Sequence, residues 1–220
     1  ESSLAVVGSQ YGQLGLEHRE DQPSWVLLSD KTDICAIAAT ARLSLLLTAR
    51  GELFGCGYNG QGQLGVGHTG GQASWVLLSD KTDIRAIAAG GSHSLLLTAK
   101  GELFGCGRNQ YGQLGLGHTE DQATWVLLTD KTDICDIAAC STSLLLTATG
   151  ELFGCGFNNQ GQLGLGHTND QMNWVKLETF PHKPALKLDE LRHQRHLVFT
   201  PTSLKILLTQ CEDCFRAMGS

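Results

Sequence analysis

Gly62-Gln63-Leu64-Gly65-Val66-Gly67-His68 recurs in near-identical form at Gly12, Gly112 and Gly161, so successive copies start 50, 50 and 49 positions apart. A fixed period of that length marks an array of equivalent units, none of which buries its apolar surface alone. Outward from the copy at Gly62, Trp75-Val76-Leu77-Leu78 is a short apolar run with aromatic and branched character, and Asp80-Lys81-Thr82-Asp83 is a polar turn. Ile84, Ala86 and Ala88 then alternate with Arg85, Ile87 and Ala89. After Gly90-Gly91 come Ser94-Leu95-Leu96-Leu97-Thr98, the turn Ala99-Lys100-Gly101, and Glu102-Leu103-Phe104-Gly105-Cys106-Gly107. Each piece has the length and composition of a strand. Four strands per unit, joined by hairpin-length links, predict an all-β chain. Its four-stranded sheets are too apolar to stand alone and stack radially as blades of a β-propeller.

The repeats assign residues 1–178 to the propeller, in units of about 3–58, 59–108, 109–157 and 158–178, and leave 179–220 as a C-terminal segment. Trp174-Val175-Lys176-Leu177 matches the first strand of a unit and Leu4-Ala5-Val6-Val7 the fourth, so the two ends can share a final blade. Thr202 to Thr209 echoes Ser141 to Thr147, which would let the tail complete that blade. Periodicity favours a short helix instead. Thr200 or Thr202 can cap it, Pro201 suits its first turn, and Leu204, Leu207, Leu208, Cys211, Cys214, Phe215 and Met218 form one apolar stripe. An open arc or a paired ring stands as the rival to closure at four blades.

Gly107-Arg108-Asn109-Gln110-Tyr111-Gly112-Gln113-Leu114-Gly115-Leu116-Gly117, with Gly90-Gly91-Ser92-His93-Ser94-Leu95 and Gly101-Glu102-Leu103-Phe104, resembles the regulator of chromosome condensation repeat. The match extends over about residues 3–178. The resemblance implies a propeller whose founding member exchanges nucleotide on the small GTPase Ran, with many relatives that only bind proteins. The family's Gly-x-x-His-Ser signature is intact only at His93; the first unit reads Thr40-Ala41-Arg42-Leu43-Ser44 and the third is one residue shorter. Glu17 stands where the sister units have Gly67, Gly117 and Gly166.

Composition narrows the function. Residues 1–175 hold 9 Lys and Arg against 17 Asp and Glu, a charge of −8, which leaves no basic patch for counterion release and argues against direct nucleic-acid binding. No apolar run is long enough to span a membrane. Cys56, Cys106 and Cys155 occupy one repeat position and are expected as buried free thiols of a reducing compartment, the cytoplasm or the nucleus.

Few residues suggest chemistry. Gly55-Cys56-Gly57-Tyr58-Asn59-Gly60 spells Gly-x-Gly-x-x-Gly, but a phosphate cradle needs a helix to follow, and here a second glycine-rich turn follows. His193, His196, Cys211 and Cys214 could share a zinc ion, although zinc sites usually place the cysteines first; no metal or cofactor is therefore assigned. His68, His118 and His167, and the tryptophans at 25, 75, 125 and 174, repeat with the array and read as scaffold. No nucleophile, base and orienting acid stand apart from the repeat.

Binding is then read from the positions at which near-copies differ. Tyr58, Arg108 and Phe157 share one loop position; Gln110 and Asn159 share a second with Gly60; Glu120 and Asp121 take the place of Gly70 and Gly71. Aromatic and arginine side chains on loops are the types enriched at hot spots. The expected function is a non-catalytic protein-binding propeller, with a small GTPase of the Ran or Rab kind as the partner the resemblance implies. Guanine-nucleotide exchange on such a GTPase and a self-associating, homodimeric structural fragment are the alternatives.

Overall fold

The computed structural model describes residues 9–22 and 33–177. Among these, twelve strands form three antiparallel sheets of four, and there is no helix. The first blade contains β1 (Ile34–Ala39), β2 (Leu43–Thr48), β3 (Leu53–Gly57) and β4 (Gln72–Leu77). The second contains β5 (Ile84–Ala89), β6 (His93–Thr98), β7 (Leu103–Gly107) and β8 (Gln122–Leu127). The third contains β9 (Ile134–Ala139), β10 (Thr142–Thr147), β11 (Leu152–Gly156) and β12 (Gln171–Lys176). In each blade the strands pair in chain order. The Leu4–Val7 strand, closure by the termini and the helix at 200–218 fall on residues outside those described.

The strands are the expected ones, but the hydrogen bonds group them differently. The tryptophan strand closes a blade as its outer edge: β4 pairs with β3, β8 with β7 and β12 with β11. Trp174-Val175-Lys176 is thus the last strand of the third blade, not the first of a further one. The glycine-rich motif becomes a loop within a blade, connecting its third and fourth strands.

A second correction concerns β5. Simple alternation places Ile84 and Ile87 on opposite faces, yet both are buried and both pack against the first blade. The register against β6 shifts between Ile84 and Ala86, and the extra residue turns Ile87 onto the face of Ile84.

Stacking buries both faces of the middle blade. Leu96 points back to a cluster with Leu43, Leu45, Leu47, Leu53 and Leu64 of the first blade, while Leu95, Leu97 and Leu103 face Ile134, Ile137 and Leu145 of the third. Each fully buried leucine is worth about 1.5–3 kcal/mol relative to exposure, so the blades stabilise one another. At the ends of the arc the same positions open. Ile37 is 51% exposed where Ile87 is 7%, and Leu144 and Leu146 are half-buried where Leu95 and Leu97 are fully enclosed.

Candidate protein-interaction rim

The blades are joined by a clasp that repeats at each junction and builds a rigid base for the loops. Ser94 and Cys106, on adjacent strands of the second blade, both donate to the Gln63 carbonyl of the first, at 2.7 and 3.4 Å. Ser143 and Cys155 treat Gln113 in the same way, as do Ser44 and Cys56 with Gln13. Gly65 and Gly115 adopt positive φ with no room for a side chain, because the indoles of Trp125 and Trp174 in the next blade lie against them. Burial pushes the Cys56 thiol up to about 12, and Cys106 and Cys155 well above the ordinary value, so these thiols are neutral and unreactive.

One junction differs from the others. His93 Nε2 lies 2.8 Å from Ser143 Oγ, fully enclosed, whereas its counterpart in the first blade is the apolar Leu43. Burial lowers the His93 pKa to about 4. A histidine and serine in contact suggest a nucleophile, but no substrate can reach this pair, and Ser143 already donates to Gln113. Their role is to hold two blades together.

Within each loop an asparagine ties the turn. Asn59 Oδ1 accepts from Leu64 N at 2.8 Å and its Nδ2 donates to His68 O at 2.7 Å; Asn109 and Asn158 repeat both bonds. The Nδ1 atoms of His68, His118 and His167 accept amide protons two residues on, in line with the scaffold reading. On this base the variable side chains stand at the rim.

The geometry sorts the sequence-selected residues into two clusters. Arg108 lies 4.9 Å from the Tyr111 ring centroid and donates from Nε and Nη2 to Gln110 Oε1; the Phe157 ring is 4.8 Å from Tyr111. Tyr58 belongs elsewhere, 5.3 Å from Tyr11 in an edge-on pair, with the Arg42 guanidinium within 6 Å of both rings. Asn159 and Glu120 are exposed. Asp121 is exposed but structurally engaged, since its Oδ1 accepts from Asn109 N at 2.7 Å. Tyr11, Tyr111 and Arg42 were not selected from sequence. The available signal was that tyrosine alternates with Gln61 and Gln160 at one repeat position, and that Arg42 replaces the position of Ser92.

No group of three or more His, Cys, Asp or Glu able to hold a metal occurs among the described residues; His193, His196, Cys211 and Cys214 lie outside them. No described helix is long and apolar enough to cross a membrane. The Gly55–Gly60 stretch forms β3 and the turn after it, with no helix to aim at a phosphate.

Two family models, both described as the regulator of chromosome condensation (RCC1) repeat, match the chain. One covers residues 84–113, the other 50–97, 100–143 and 149–188. No individual curated sequence matches significantly. Among solved structures, human WBSCR16 is similar with a TM-score of 0.66 at 22% identity, over 77% of this chain and 46% of that one. Yeast RCC1 (Prp20) bound to Kap60 gives 0.67 at 22% identity, over 76% and 43%. Prp20p from Saccharomyces cerevisiae, described with its binding to Gsp1p and histones, gives 0.65 at 22%, over 76% and 44%. At such identity the likeness is one of fold, and the chain spans less than half the length of these proteins.

Proposed function

The chain belongs to the regulator of chromosome condensation (RCC1) repeat family, and from that premise we propose that it is a non-catalytic protein-binding propeller segment whose rim engages a small GTPase of the Ran or Rab type. The observation that carries this reading is the pair of aromatic and arginine clusters, Tyr11-Tyr58-Arg42 and Tyr111-Phe157-Arg108, held on loops that the asparagine ties and blade clasps keep rigid. Rigid aromatic and arginine anchors cost little ordering entropy on binding, which is why they dominate interface energetics. The GTPase assignment draws on the binding of Prp20p to Gsp1p. We place the protein in the cytoplasm or nucleus as part of the same proposal.

Exchange activity is the alternative. It requires a wedge that displaces phosphates and magnesium from the GTPase, and the even repeat spacing between Gly12 and Gly161 holds no insertion to serve as one. The test is a panel of GTPases loaded with labelled nucleotide. Binding with release at the spontaneous rate supports the platform, accelerated release makes the protein an exchange factor, and no binding to any member removes the GTPase. Self-association is a second reading, supported by the open end faces at Ile37 and at Leu144 and Leu146; light scattering at the monomer mass would end it.

A further inference from the structure

The four loops are near-copies, and in three of them an aspartate carboxylate receives one particular backbone N–H. Asp21 accepts from Ser9, Asp121 from Asn109 and Asp170 from Asn158, each at 2.7 Å. The loop of the first blade has Gly71 at this position, and no hydrogen bond among the described residues uses the Asn59 N–H. Asn59 is buried, and its loop lacks the carboxylate that the sister loops place on this N–H; a buried donor left unsatisfied costs about 1–3 kcal/mol. A Cβ built on Gly71 would stand 4.0 Å from Asn59 N, within reach of an aspartate.

The vacated place adjoins a cavity of about 300 Å³ lined by Gln10, Tyr11, Arg19, Tyr58, Gly60 and Gly71. Two of these glycines replace larger side chains, since Gly60 stands where the sisters have Gln110 and Asn159. The loop that lacks the acid therefore also supplies the two positions of the cavity wall that carry no side chain. Its cationic wall is Arg19, with Arg42 behind the tyrosines. The nearby acid Asp21 is committed to Ser9.

We propose that this cavity is a receptor for an aspartate or glutamate side chain of a protein partner, with the incoming carboxylate taking the place of the missing Asp on Asn59 N–H and pairing with Arg19. The stem of the acid packs against the Tyr11–Tyr58 pair, and the carboxylate enters beside Gly71, which has no side chain to block it. Charge-assisted bonds to a backbone N–H and an arginine give the site its preference for an acid over the isosteric amide. The inference deepens the protein-binding reading and rests on it.

The test titrates the full chain with N-acetyl-Gly-Asp-Gly-amide, its Asn counterpart and sodium acetate, following the Asn59 amide by NMR. The Asp peptide is expected to move the Asn59 proton downfield and saturably, at least tenfold more tightly than the Asn peptide or acetate. Gly71→Asp should show the downfield position without ligand and lose the response. Gly71→Ala, which puts a Cβ in the entry without supplying an acceptor, should weaken the response and leave the ligand-free Asn59 amide where it is, and Arg19→Gln should weaken the response severalfold. An Asn59 amide that ignores the Asp peptide, responds equally to the Asn peptide or to acetate, or still responds in Gly71→Asp overturns the proposal. Because these probes are not GTPases, a protein that binds a GTPase while Asn59 stays unresponsive loses this site and keeps the platform.

Discussion

The junctions between blades and the rim loops above them are built from the same repeat, but they use it in opposite ways. At the junctions, His93 and Glu17 apart, the side chains are the same from one unit to the next: serine and cysteine on a glutamine carbonyl, glycine against an indole, leucine against isoleucine. At the rim the equivalent positions hold Tyr58, Arg108 and Phe157. A residue enclosed on all sides by a neighbouring blade admits one shape, whereas a residue facing solvent on a tied turn admits many. The junctions accordingly set stability, and the rim is left free for the recognition proposed above.

The strongest test of this division uses one repeat position in two settings. Gly65 and Gly164 both adopt left-handed backbone, but a Cβ at Gly65 would meet the Trp125 indole, while one at Gly164 has nothing within 4 Å among the described residues. Gly65→Val is expected to abolish cooperative unfolding, a loss of more than about 4 kcal/mol. Gly164→Ala should lower the stability by only about 1–2 kcal/mol, the backbone cost alone. Equal effects in thermal melts would break the distinction.

His93 comes next. Its folded pKa of about 4 lies below the ordinary value of 6.5, so the unfolded chain binds more protons between those limits and stability rises with pH there. The contribution is fully present above about pH 6.5 and is lost as the pH falls toward 4, by up to about 3 kcal/mol. His93→Leu, which copies Leu43 of the first blade, should flatten this dependence in urea titrations at pH 7 and pH 4.5. An unchanged pH slope would remove His93 as its source.

Glu17 is a smaller irregularity of the same clasp. It adopts φ 68° where its sisters are glycines, while its N–H still donates to Ala73 O. Glu17→Gly should raise stability by about 1 kcal/mol in denaturant unfolding, from relief of the left-handed strain. At the rim, Arg108→Ala should change stability by less than about 0.5 kcal/mol while weakening the partner at least tenfold in a pull-down or interferometry assay. A large stability loss there would reassign Arg108 to the scaffold.

The strands themselves were legible because their composition and turns are local properties, and the scaffold roles of the repeating histidines followed from repetition. The phase of the sheets was not. When units are near-copies, the tryptophan strand can be written at the start of one unit or the end of the one before, and composition is the same in both. The inward turn of Ile87 was hidden for a different reason, since a bulge is a property of the pairing and not of the strand. Among candidate site residues, Arg108, Gln110 and Phe157 converge around Tyr111, but Tyr58 does not join them; its neighbour Tyr11 comes from a loop 47 residues earlier.

The amino-acid sequence by itself determined the period, the all-β character, the four strands of each unit and the positions at which one copy departs from another, since all of these are set by neighbours along the chain. Only the tertiary structure decided which strands share a sheet, which serine meets which carbonyl 31 residues away, and that Gly71 leaves Asn59 without its acid. Those facts depend on how one blade lies against the next, and stacking of near-identical sheets is governed by shape and hydrogen bonding across the junction, which no single repeat contains.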